Sequence, residues 1–138
     1  MFFDKKKDHD LIKISALLIH AAKIDQNYSS IEQKIIRQAL KEIGADDKNI
    51  EEIITKAEEI EKNSVQILDF TKEVKSMSQE NKVKIIETLW KIIYSNKEAD
   101  IYEANLMRRL GGLLYIDSKL MGDIQNKIKK KFHNDLHS

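Results

Sequence analysis

The 138-residue sequence contains no cysteine and no proline, and it has only four glycines. Without cysteine the chain has no disulfide, no thiolate ligand for a metal and no cysteine nucleophile. This absence fits a reducing compartment, so we expect a cytoplasmic protein. With so few helix breakers, the natural expectation is a set of long helices joined by short polar turns.

The sequence also lacks a strong net charge and a long apolar run. The formal net charge is only +1, so no overall field attracts nucleic acid or an anionic membrane. No apolar run approaches the roughly 20 residues that a membrane span needs. The start, MFFDKKKDHD, does not resemble a signal peptide, because charged residues follow the two phenylalanines. The length suits one domain over residues 1–138, and we expect a helical core at about 9–131 with flexible termini.

Apolar residues recur at helical spacing along the whole chain. In the first predicted helix, Leu11, Ile14 and Leu18 fall on one face. The predicted helices cover residues 9–24, 30–43, 47–62, 64–76, 79–95, 101–114 and 118–131. No segment has the alternation of a strand, so the predicted class is all-α with seven helices. Gly111 and Gly112 interrupt the sixth helical pattern, and they predict either a close helix crossing or early fraying.

An internal repeat relates the two halves of the chain. A shift of 71 positions carries Asp25 onto Asn96 and keeps many other pairs similar. The pairs are Leu18/Leu89, Ile35/Leu106, Ile36/Met107, Arg37/Arg108, Asp46/Asp117, Lys48/Lys119, Ile53/Ile124, Ser29/Asp100 and Glu32/Glu103. The first three helices therefore resemble the last three, with the fourth as connector. We expect a pseudo-twofold domain whose first and fifth helices, the least polar, pack at the centre.

The segment AAKIDQNYSSIEQ, at 21–33, begins in the way that a calcium loop does. Asp25, Asn27 and Ser29 alternate with other residues. An EF-hand loop needs glycine at its sixth position and glutamate at its twelfth. These positions are Ser30 and Ile36, and the repeat copy also fails, with Ile101 and Met107 in their place. An ordinary EF-hand is therefore excluded.

Two interpretations of these turns stay open. In the first, Ser29 with Glu32 and Asp100 with Glu103 form capping boxes at helix starts. In the second, acidic residues from both copies cluster across the pseudo-twofold axis and bind a divalent cation, which would be the only cofactor. The candidate metal ligands are Asp25, Asn27, Glu32, Glu98, Asp100 and Glu103.

Two long segments resemble the two halves of the tellurite-resistance TerB family. They are HDLIKISALLIHAAKIDQNYSSIEQKII and LWKIIYSNKEADIYEANLMRRLGGLLYI, and SVQILDFTKEVKSMSQENKVKIIETLW between them is similar to the connecting helices of that family. The resemblance spans roughly residues 10–130. It implies a seven-helix domain with a pseudo-repeat, a link to tellurite and stress-response gene clusters, and no established enzymatic activity.

The hallmark of the family is an Ala-Asp-Gly turn followed by a second aspartate and a glutamate, present twice. The first copy here has Gln26 for the glycine and Ser29 for the second aspartate. The second copy has Asn96 and Lys97 for Asp-Gly. The resemblance implies a metal-binding acidic patch, and these departures reduce its negative charge in this chain.

The familiar catalytic and di-metal motifs are missing. There is no Glu-x-x-His, no His-Glu-x-x-His and no P-loop, and nothing marks a base beside a serine. We therefore expect no enzyme and assign no catalytic residue. His20 shares a polar stripe with Lys13 and Lys23, which predicts a surface histidine. Trp90 and Tyr94 lie on the most apolar helix and are predicted core residues.

Three functions follow as hypotheses. The first is a non-catalytic interaction module that presents charged surfaces to a protein partner, and the glutamates of the third helix would suit a basic partner. The second is a divalent-cation-binding protein that uses the acidic turns. The third is contact with an anionic membrane or nucleic acid through the basic tail, Lys127, Lys129, Lys130 and Lys131.

Overall fold

The computed structural model describes residues 5–23, 28–63, 68–95 and 101–137. The regular secondary structure of these ranges is entirely helical, which confirms the predicted all-α class. The helices are α1 (Lys5–Ala22), α2 (Ser30–Ile43), α3 (Ile50–Asn63), α4 (Leu68–Lys75), α5 (Gln79–Ser95), α6 (Ile101–Leu113) and α7 (Ser118–His137). Within these ranges, none of the helices combines the length and the apolar character that crossing a bilayer requires.

Helices α1 and α5 form the centre of the domain. Helix α1 packs against α2, α3, α4 and α5, and α5 also contacts α2 and α7. Side chains on several sides of each helix are fully buried, among them Ile14, Leu17 and Leu18 of α1 and Ile86 and Leu89 of α5. A helix that is apolar nearly all round must lie inside. The two least polar helices therefore lie at the centre, as expected.

Among the described residues, helix boundaries differ from the prediction mainly at three ends, and the predicted start of α4 over residues 64–67 lies outside them. Helix α1 begins at Lys5 and α7 continues to His137, so both extend beyond the expected limits. Helix α3 begins at Ile50, three residues late. The carboxylate of Asp46 accepts hydrogen bonds from the Lys48 and Asn49 N–H groups at 3.0 and 3.1 Å. This local side-chain turn competes with the helix over 47–49.

The Gly111–Gly112 pair marks a close helix crossing, and both residues remain helical. A Cβ atom at Gly111 would lie 3.2 Å from Cγ of Met121 on α7. At Gly112, a Cβ atom would meet nothing within 4 Å. Only the first glycine is therefore tightly packed against α7. Because α6 continues to Leu113, the alternative prediction of early fraying was wrong.

The turns after α2 and α6 match each other under the 71-residue shift. Gly44 ends α2 with a φ of 131°, and Tyr115 follows α6 with a φ of 57°. The first matching pair joins a backbone N–H to a carbonyl five residues earlier: Ala45 to Leu40 at 2.8 Å, and Ile116 to Gly111 at 2.9 Å. The second joins a backbone N–H to the aspartate carboxylate three residues earlier: Asn49 to Asp46 at 3.1 Å, and Leu120 to Asp117 at 2.8 Å. These turns agree with the predicted repeat, which stays a prediction for the domain as a whole.

Candidate functional site

A reciprocal capping box starts α2. Ser29 has extended backbone angles, and its hydroxyl accepts a hydrogen bond from the Glu32 N–H at 3.2 Å. The Glu32 carboxylate accepts one from the Ser29 N–H at 2.9 Å. Two backbone donors that the helix itself cannot satisfy are thus paired. The first predicted capping box is confirmed.

Glu32 is the one candidate metal ligand whose side chain the structure describes, and it is fully buried. Asp25, Asn27, Glu98 and Asp100 lie outside the described residues, and of Glu103 only the backbone is described. The second predicted capping box lies there too. In the described part of the chain, no three histidines or carboxylates come together as a metal site. The cation site and the second cap stay predictions.

Tyr28, directly before the cap, lies in an acidic environment. Burial raises the pKa of its half-buried hydroxyl to about 12, and the nearby Glu58 and Glu32 carboxylates add to the rise while the Arg37 guanidinium opposes it. At neutral pH the hydroxyl keeps its proton. The interaction with Glu58 also means that the acidic side of α3 borders the start of α2.

The start of α2 presents an apolar side chain to solvent. Ile31 is 58% exposed, whereas Ile36 and Leu40 on the other side of the same helix are fully buried. The neighbouring α3 carries a row of exposed carboxylates, which we call the acidic face of α3: Glu51, Glu52, Glu58 and Glu59.

Salt bridges partly neutralise the acidic face of α3. Glu51 pairs with Arg37 of α2, and Glu52 pairs with Lys56 at 3.0 Å. No described cation lies within salt-bridge distance of Glu58 or Glu59. Within the described residues, Glu58 and Glu59 are therefore the carboxylates of this face that no salt bridge neutralises.

His20 and Glu61 are less exposed than the sequence indicated. The Nδ1 atom of His20 lies 3.3 Å from Glu61 Oε1, and Lys23 Nζ lies 3.0 Å from Glu61 Oε2. The His20 ring also lies 5.8 Å from that of Phe70. The His20 side chain is 26% exposed, so the prediction of a surface histidine was only partly right, because α3 and α4 both pack against α1. Glu61 likewise faces α1 instead of solvent.

The basic tail lies on the outside of α7. All four lysines are exposed, and Lys127 lies 3.7 Å from Glu87 of α5. Exposed lysines near the end of a helix also complement its dipole. Contact with a membrane or nucleic acid through this tail stays a prediction.

A cleft between α6 and α7 was not predicted from the sequence. Its volume is about 460 Å³, and Trp90 of α5 contributes to its wall. Trp90 is 4% exposed, as a predicted core residue should be, and it stacks on the partly buried Tyr94 at 5.7 Å. In the sequence, the one feature that marked this part of the fold was the Gly111–Gly112 pair, and that pair was equally compatible with a helix crossing without a cleft.

Comparison with known proteins gives one match. The family model described as tellurite resistance protein TerB matches residues 11–126. No curated protein and no solved structure matches the chain. The matched segment runs from within α1 to within α7 and therefore covers most of the chain.

Proposed function

Because the chain belongs to the tellurite resistance protein TerB family, we propose that it is a non-catalytic interaction module in the cytoplasm. Its docking surface is the start of α2 together with the acidic face of α3. Its partner is a protein segment that carries basic and apolar side chains. A place in a tellurite or stress response rests on family membership alone.

The observation that carries this proposal is the 58% exposure of Ile31 at the start of α2. Full burial of a large aliphatic side chain is worth roughly 1.5–3 kcal/mol, so a partner that covers the exposed part of Ile31 would gain a part of that free energy. Where the same partner reaches Glu58 and Glu59 of the acidic face of α3, lysine or arginine at the rim of the contact would be favoured.

The non-catalytic part of the proposal is supported by the capping box. At this turn a hydroxyl, that of Ser29, lies near a carboxylate, that of Glu32, as a nucleophile and its base would. Each of the two groups accepts a hydrogen bond from a backbone N–H. An activated serine needs a base that accepts its proton. Here the carboxylate bonds the Ser29 backbone, so its role is to start the helix.

Charge reversal tests the docking surface. We expect a partner that binds the tagged wild-type chain at low salt to be lost with Glu58→Lys plus Glu59→Lys. The matched control is Glu80→Lys plus Asp123→Lys, which makes the same charge change at exposed positions on α5 and α7. Binding that survives the first pair, or that both pairs weaken equally, would contradict the proposal.

Divalent-cation binding is the second candidate, and it rests on the carboxylates of the two acidic turns. Of these, Glu32 already accepts a hydrogen bond from the Ser29 N–H. The test is the melting temperature with calcium, magnesium, manganese or zinc, before and after chelation, since binding to the native state alone raises stability. A rise that Glu32→Gln abolishes would support a site. This variant can retain the capping bond, because glutamine also serves at this position. No rise with any ion would exclude the site.

A further inference from the structure

The cleft between α6 and α7 has the size of a small-molecule site. Its volume of about 460 Å³ lies within the range of roughly 300–1,000 Å³ that is usual for ligand pockets. Apolar side chains such as Met107, Ile116 and Met121 form much of the wall. The cleft shares no residue with the proposed docking surface on α2 and α3, so it requires its own explanation.

Two glycines in the wall leave this space open. At Gly112 of α6 and Gly122 of α7, an added Cβ atom would meet nothing within 4 Å. Glycine lowers the stability of a helix interior relative to alanine. Close contact with Met121 gives a packing reason for glycine at position 111, but there is no such reason at these two positions. Larger side chains there would reach into the cleft.

The indole of Trp90 supplies an unused hydrogen-bond donor. Its Nε1 atom is buried and has no acceptor among the described residues. Buried donors are nearly always paired, so an unpaired one requires an explanation. Because Nε1 is inaccessible to solvent, a ligand acceptor would reach it only after the side chains around it move. The unbranched methionine side chains of the wall are suited to such a change.

Arg108 is the one charged residue among the described residues of the wall. A guanidinium binds a carboxylate through two parallel hydrogen bonds. The single guanidinium charge of Arg108 suits a ligand with one negative charge, and the neutral N–H of Trp90 can donate to one of its oxygens. We propose that the cleft between α6 and α7 binds a small apolar monocarboxylate, with its chain against Met107 and Met121 and its carboxylate held by Arg108 and the indole N–H of Trp90.

The single tryptophan of the chain makes this proposal directly measurable. Octanoate and 1-octanol are matched probes that differ in charge. We expect octanoate to change the fluorescence of Trp90 saturably, and octanol to bind more weakly. Arg108→Gln should weaken octanoate about two- to fivefold, as loss of one exposed ion pair would, and leave octanol unchanged. The neighbouring Arg109→Gln, which does not line the cleft, is the control.

Filling the cleft is the decisive variant. We expect Gly112→Leu to weaken octanoate at least about tenfold, whereas Gly112→Ala, which adds only a Cβ atom, should keep most of the affinity. Gly122→Leu fills the cleft from α7, and circular dichroism establishes which variants are folded. A fluorescence change that persists in folded cleft-filling variants would overturn the proposal. So would the absence of a saturable change in the wild type, or equal affinity for octanol and octanoate.

Discussion

Ser29 and Glu32 each satisfy a backbone N–H group of the other at the start of α2. The two hydrogen bonds measure 3.2 and 2.9 Å, and Glu32 is completely buried in making them. This carboxylate belongs to the first of the two acidic turns that the sequence offered as a metal site. In this chain it therefore has a structural role, whether or not the turn also binds an ion.

The capping box predicts a graded effect of substitutions at Glu32. Glu32→Ala leaves the Ser29 N–H without its partner and opens a space in a buried site, so we expect a loss of about 1–3 kcal/mol in unfolding free energy. Glu32→Gln can still accept this bond, so its loss should be smaller. Urea denaturation measures both. Equal losses would mean that charge, and not capping, is what the site requires.

The two adjacent glycines of α6 should respond differently to the same change. Gly112→Ala gains helix propensity without a clash, so we expect a stabilisation of up to about 1 kcal/mol. Gly111→Ala gains the same propensity, but its Cβ atom would lie 3.2 Å from Met121 Cγ. Overpacking of this kind costs about 1–3 kcal/mol. In thermal melts, we expect Gly112→Ala to melt above the wild type and Gly111→Ala to melt below Gly112→Ala. Equal melting temperatures of the two variants would contradict this packing.

The class and the central helices could be predicted because periodic apolar residues dominate the sequence. In α1 and α5, burial and helical spacing indicate the same residues, such as Leu18 and Leu89. The start of α3 could not be predicted, since Asp46 is compatible with either a helix or a side-chain turn. The partial burial of His20 and Glu61 depends on how α3 lies along α1, and the spacing of residues within one helix carries no information on that.

The backbone of Gly44 predicts a strict requirement for glycine. Its φ of 131° lies in a region that side chains disfavour, and its N–H closes the end of α2 onto Leu40 O at 3.0 Å. We expect Gly44→Ala to lower the unfolding free energy by about 1–2 kcal/mol. Gly122→Ala is the control, because it adds a Cβ atom in open space. If the two variants melt alike, the turn tolerates a side chain.

Tyr28 predicts a loss of stability at alkaline pH. Its pKa is raised from 10.0 to about 12 in the folded state, so the folded chain holds this proton more tightly than the unfolded chain. Its contribution is complete below pH 10.0 and is lost as pH rises through about 12. Tyr28→Phe should flatten the decline by on the order of 1 kcal/mol, a figure reduced for partial exposure.

Urea denaturation of wild type and Tyr28→Phe between neutral and strongly alkaline pH measures this difference. Tyr115→Phe, at an exposed position, is the matched control. Parallel profiles for the wild type and Tyr28→Phe would mean that the environment of Tyr28 does not favour the protonated form.

Only a part of the candidate site could be predicted from the sequence. The capping box at Ser29 could be predicted because its pattern is local, with a serine and a glutamate three residues apart. The exposure of Ile31 could not, since it depends on how the other helices pack around the start of α2. The cleft was missed because Trp90 and Gly112 are far apart in the chain and meet only through the packing of three helices.

Site-specific crosslinking at Ile31 tests the central claim, a docking surface at the start of α2, most directly. A photoreactive benzoylphenylalanine would replace Ile31, or Asp123 on α7 as the control, in cells that produce the chain. We expect a discrete adduct from position 31 that is absent from position 123 and that Glu58→Lys plus Glu59→Lys abolishes. Identical adducts from both positions, no adduct at position 31, or an adduct insensitive to the charge reversal would contradict the account.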